Sequence, residues 1–117
     1  MVFTDDMPET SAKVLGHLPQ IDHVLYRHHT TRLKKSCIKD IARIGRPLSS
    51  IILVDNEEKN LSLHKDNGIK VSEWLGSDRA DQELNVLGLF LSKMASQRVG
   101  DVRDYLPRFR EFKREFL

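Results

Sequence analysis

The chain reads as an α/β protein, and three observations carry that class. Ile51-Ile52-Leu53-Val54 is an apolar, β-branched run that stops abruptly at Asp55-Asn56, the pattern of a parallel strand buried on both faces. Its carboxyl end delivers polar groups to a crevice, which is where open α/β sheets bind ligands. Shorter strand-like runs flank it, at Val2 to Thr4 and Gly68 to Val71. Helical periodicity then takes over the carboxyl-terminal third.

Taken in order, Val2 to Thr4 reads as the end of a strand. Asp5-Asp6-Met7-Pro8-Glu9 follows, with the proline and acids of a helix's first turn. Ala12, Val14, Leu15 and Leu18 give a helical stripe up to Pro19. His23 to Tyr26 is a short strand, and Arg27 to Ser36 is a polar, basic loop. A short helix from about Ile38 to Ile44 ends at Gly45, a usual helix-stop residue. After the strand at 51–55, Glu57 to Asn67 reads as a turn with a short helix and a loop. From about Asp78 the spacing of Leu84, Leu87, Phe90, Leu91 and Met94 predicts an amphipathic helix over about 78–97. A last helix over about 102–116 carries Val102, Tyr105, Leu106, Phe109, Phe112 and Phe116. Repeats, low-complexity tracts and linkers are absent, so the expectation is a single domain over 1–117.

Composition excludes several function classes. The 117 residues suffice for one core, burying ~65% of the unfolded chain's surface. Nineteen Lys and Arg against seventeen Asp and Glu, scattered along the chain, leave a formal charge of +2. That is too even a balance to argue for nucleic acid. Cys37 is the only cysteine, so no internal disulfide forms, and its expected place is a small buried hydrophobe. The apolar runs are far too short for a membrane span. Met1 to Asp6 is too acidic for a targeting peptide, so the compartment stays open.

Four segments match a family in order. The wording Ile38-Lys39-Asp40, Gly45-Arg46, Leu48-Ser49 and Ile52-Leu53-Val54-Asp55-Asn56 resembles the phosphatases that act on the C-terminal domain of RNA polymerase II. These are members of the haloacid dehalogenase superfamily that carry the NLI-interacting-factor type of homology domain. The non-catalytic receptor subunit of the mitochondrial presequence translocase is a relative. Phe3-Thr4 is similar to the family's second motif, whose hydroxyl binds the substrate phosphate. Leu25-Tyr26-Arg27 is similar to the segment whose Arg contacts phosphate. Lys39 stands where the family's lysine neutralises the phosphoryl group and the nucleophile. Asp55 matches the Asp that supports the site, and Asn56 matches the Asn that ligates magnesium. The resemblance thus implies Thr4, Arg27 and Lys39 as phosphate-binding, Lys39 and Asp55 as catalytic, and Asn56 as the metal ligand. The residue types also make chemical sense, because a phosphoryl transition state spreads negative charge over three oxygens and calls for cations, donors and a hard metal.

The family's nucleophile is the first Asp of an Asp-x-Asp-x-Thr signature on the sheet's first strand, and no such signature occurs in these residues. Asp5-Asp6 is adjacent and follows Thr4, so it is not that pair. The implied fold is therefore a partial haloacid dehalogenase-like, Rossmann-like three-layer arrangement with a parallel sheet whose first central strand is missing. An exposed strand edge is expected beside Val2 to Thr4 or Ile51 to Val54. Two functions compete. One is a magnesium-dependent protein Ser/Thr phosphatase acting through an aspartyl-phosphate on a phosphoprotein, inactive as these residues stand and holding Mg²⁺ weakly. Such an enzyme would be nuclear or cytoplasmic. The other is a non-catalytic protein-binding subunit like the mitochondrial receptor, working in a larger complex. His17, His23, His28 and His29 lack accompanying ligands at metal spacing and read as exposed loop residues. Trp74 reads as a packing residue.

Overall fold

Among the described residues the strands are two or three residues long, and each pairs with one neighbour. The computed structural model describes residues 1–116, as a mixed α/β fold with two small parallel sheets and one antiparallel sheet among those residues. The chain divides into two compact units, Met1 to Asp40 and Ile41 onward.

In the first unit, β1 (Val2–Phe3) runs parallel to β2 (Val24–Leu25), with Phe3 opposite Leu25. Between them lies α1 (Pro8–Leu15), which starts on Pro8 because the first helical N–H needs no partner. The apolar stripe expected on α1 contributes no fully buried residue, and Val14 is exposed. The segment expected as a loop from Arg27 to Ser36 is more ordered than that. It holds a 3-10 turn, Arg27–His29, then an antiparallel hairpin of β3 (Thr31–Leu33) and β4 (Ser36–Ile38). Lys34 and Lys35 close the hairpin at φ 47° and 69°. Both central residues of such a tight turn need positive φ, normally supplied by Asn-Gly, so a lysine pair hides the hairpin from sequence reading. Cys37 lies on β4 and is only half-buried, not the buried hydrophobe expected.

The helix expected from Ile38 is shorter: Ile38 ends β4, and a 3-10 turn occupies Ile41–Ile44. Gly45 follows it at φ 84°, in the left-handed region that a side chain disfavours. In this second unit, β5 (Leu53–Asp55) runs parallel to β6 (Gly68–Lys70), with Val54 opposite Ile69. The crossover contains α2 (Glu58–Leu61) and a 3-10 turn, Lys65–Asn67. Gly68 allows the return, since a Cβ there would meet Leu61 Cδ2 at 2.9 Å. The amide of buried Asn67 donates to the carbonyls of Leu48 at 2.6 Å and Ile51 at 2.9 Å, tying the approach to β5 onto the start of β6.

The core of this unit is aromatic. α3 (Glu83–Ser96) buries Val86, Leu87 and Phe90 against Ile69, Val102, Tyr105, Leu106 and Phe109. Phe90 is 1% exposed and meets the rings of Tyr105, Phe109 and Phe112 at centroid distances of 5.1, 5.1 and 5.4 Å. α3 starts at Glu83, later than the expected 78. Asp78 and Asp81 instead accept from the N–H groups of Ala80 and Glu83 in local turns, which compete with helix. Leu84, expected in the core stripe, is 66% exposed. The last helix is broken into α4 (Val102–Tyr105), a 3-10 turn at Leu106–Arg108 and α5 (Phe109–Phe116). Pro107 lacks the N–H that would continue α4. Asp101 caps α4 through Arg103 N–H at 3.0 Å and holds the Arg103 guanidinium at 2.8 Å. That hydrogen-bonded pair lowers the Asp101 pKa and raises that of Arg103.

Candidate phosphate site

The first unit places Thr4, Arg27 and Lys39 around the carboxyl ends of β1 and β2. Thr4 follows β1, and its N–H continues the ladder to Leu25 O at 3.0 Å. Its hydroxyl oxygen accepts from Asp6 N–H at 3.1 Å, and Asp6 Oδ2 in turn accepts from Ser11 Oγ at 3.2 Å. Arg27 follows β2 and is tied back to the same turn. Its backbone N–H donates to Asp6 O at 3.0 Å and its Nε to Asp5 O at 2.7 Å. The Arg27 turn is latched by His29, whose Nδ1 accepts from Tyr26 N–H at 2.8 Å. His29 is exposed, as expected, and serves as an acceptor within the turn. Lys39 is 7% exposed, with Nζ 5.8 Å from the centre of the Phe3 ring, a cation–π distance. Thr4 and Arg27 thus share the Asp5-Asp6 turn after the two parallel strands, and Lys39 lies against Phe3 of β1.

The second unit carries Asp55 and Asn56. Asp55 ends β5 and is 7% exposed. Its Oδ1 accepts from Glu57 N–H at 2.9 Å, and its Oδ2 from Asn60 Nδ2 at 3.3 Å. Asn56 is exposed. Sequence reading missed three buried polar groups here. Asn60 orients Asp55 while its own Oδ1 is buried without a hydrogen-bond partner among the described residues. Asn67 clamps the approach to β5. Glu83 accepts from Ser72 N–H at 2.9 Å and pairs with Lys113 at 3.3 Å. Burial pushes the Glu83 pKa up, but Ser72 and Lys113 outweigh it and hold the carboxyl below its ordinary value. Only Asn67 left a trace in the sequence, as half of an Asn-Gly turn pair. Trp74 is not a packing residue: it is 58% exposed, and its indole N–H donates to Asp78 O at 2.7 Å.

A family model for NLI interacting factor-like phosphatases matches residues 1–103. The chain belongs to that family. It is 30% identical over 97% of its length to the mitochondrial import inner membrane translocase subunit TIM50-A of Drosophila melanogaster, covering 34% of that protein. It is 34% identical over 76% of its length to the TIM50 subunit of Phytophthora infestans, covering 22% of it. The phosphatase PSR1 of Saccharomyces cerevisiae is 33% identical over 72% of the chain, which covers 20% of the enzyme. The chain thus spans about a third or less of the length of these relatives.

The donor set fits magnesium poorly. Mg²⁺ needs near-octahedral oxygen coordination, whereas Asp55 is 7% exposed and each of its oxygens accepts a protein hydrogen bond. Among the described residues, no three His, Cys, Asp or Glu side chains gather as a metal site. No described helix is long and apolar enough to cross a membrane.

Proposed function

We propose that these residues form part of a phosphatase-type domain that serves as a protein-binding subunit, similar to the mitochondrial import translocase subunits. The observation that carries this reading is the likeness to the Drosophila subunit, which runs over 97% of the chain. The likeness to the Phytophthora subunit, over 76% of the chain, supports it as well. In this reading the compartment is mitochondrial and the partners are proteins of a larger complex.

The finer fold in the proposal is a single haloacid dehalogenase-like, three-layer domain over 1–117, completed by a further central strand. The open edge of β5 supports that completion. Leu53 and Asp55 are the β5 positions that address β6, so Val54 presents its backbone on the other side. A phosphatase role is the second reading, favoured by Asn56 beside Asp55 and by the likeness to PSR1. There Thr4, Arg27 and Lys39 would hold the phosphoryl group, and Asn56 the metal.

The experiment is expression of the full-length tagged protein at native level, followed by fractionation and cross-linking. Recovery in mitochondria, cross-linked to inner-membrane translocase components, is the expected result. Recovery in the nucleus or cytosol without such cross-links overturns the proposal.

A further inference from the structure

The outer edge of β6 is open at Lys70 and bordered by a basic groove. Val71 N–H donates to Asp55 O at 3.0 Å, so residues 69 and 71 address β5, and the alternation of a parallel strand turns Gly68, Lys70 and Ser72 to the opposite side. Two donors on that side are taken within the chain. Gly68 N–H is bound to Lys65 O, and Ser72 N–H to Glu83 Oε1 at 2.9 Å. The Lys70 peptide groups lie between them. Alongside runs a cavity of about 280 Å³ lined by Lys70, Arg110 and Lys113, with Leu106, Pro107 and Phe109 as its apolar part. Just past the strand the chain already places a carboxylate on this side: Glu83 accepts from Ser72 N–H and is held by Lys113 at 3.3 Å.

We infer that this groove docks an extended acidic peptide segment, which adds to β6 as a short strand while its carboxylates meet Arg110 and Lys70. The charge of the walls selects the occupant. Lys70, Arg110 and Lys113 line it with no carboxylate among the lining residues, and of the three Lys113 is paired with Glu83. Main-chain pairing at Lys70 supplies register, and the Leu106, Pro107 and Phe109 surface takes an alternate apolar side chain. The area is small, so binding is weak and salt-sensitive. This surface is built from β6, α5 and the turn before α5 and uses none of Thr4, Arg27, Lys39, Asp55 or Asn56, so it stands or falls separately from the function proposed above.

The test is fluorescence anisotropy of the purified full-length protein with a labelled hexapeptide alternating Val and Glu. Companion peptides carry Lys for Glu, or a methyl on the central backbone nitrogen. The Glu peptide is expected to bind saturably and to weaken with salt, and N-methylation is expected to cost about tenfold. In K70E/R110E the preference should reverse to the Lys peptide; if that variant loses its helical circular dichroism, K70Q/R110Q should bind the Glu peptide about tenfold more weakly. No saturable binding to the folded chain, equal binding of the N-methylated peptide, or unchanged affinity in the folded variants would each overturn the inference.

Discussion

The two units hold themselves together by different means. From Ile41 onward the chain closes around one aromatic side chain, Phe90, which touches three other rings. In Met1 to Asp40 the only buried residues are Ile38 and Lys39. There the shape comes from backbone hydrogen bonds from Arg27 to Asp6 and from Thr4 to Leu25, and from the Arg27 side chain to Asp5 O. The unit with the hydrophobic core is rigid by packing. The unit with the phosphate-type residues is held by polar contacts worth about 1 kcal/mol each, which makes it the easier one to open.

Truncating Phe90→Ala should have the largest effect, about 3–5 kcal/mol, read as a lower urea midpoint. Val24→Ala in β2 should cost about 1 kcal/mol by the same measurement. Equal costs would erase the contrast between the units. Next comes Asn67→Ala, which strands the carbonyls of Leu48 and Ile51. It should cost about 1–3 kcal/mol, and amide exchange should speed up around residues 48–53.

Glu83 sharpens the comparison through pH. Its folded pKa lies below the ordinary 4.5, so its stabilisation is fully present above that value and is lost as pH falls through the folded pKa. Glu83→Gln should flatten the acid limb of the stability profile of the second unit, leaving exchange in the β3–β4 hairpin unchanged. The smallest effect should come from that hairpin. K34N/K35G relieves two non-glycine residues at positive φ and should stabilise the first unit by about 1 kcal/mol, seen as slower exchange at Thr31 to Ile38.

The same contrast explains what was legible in the sequence. Strands and helices with strong periodicity, β5 and α3 to α5, were visible as elements because burial writes hydrophobic spacing into the chain. Their limits were not, since Asp78 and Asp81 spend their side chains on local turns and Pro107 interrupts a stripe that otherwise reads as one helix. The hairpin was invisible because Lys-Lys carries no turn signal. The family resemblance led to Thr4, Arg27, Lys39, Asp55 and Asn56. It did not reveal that Thr4 and Arg27 bind their own turn, or that Asn60 and Glu57 hold Asp55. Such contacts join residues through space and leave no periodicity.

In the proposed function the domain binds protein partners, and residues 1–117 do not by themselves turn over phosphate. The most direct measurement is hydrolysis of p-nitrophenyl phosphate and of a phosphoserine peptide by the purified chain, with and without magnesium, beside Asn56→Ala. The expected result is release no faster than buffer for both proteins. Magnesium-dependent turnover that Asn56→Ala abolishes would contradict the account.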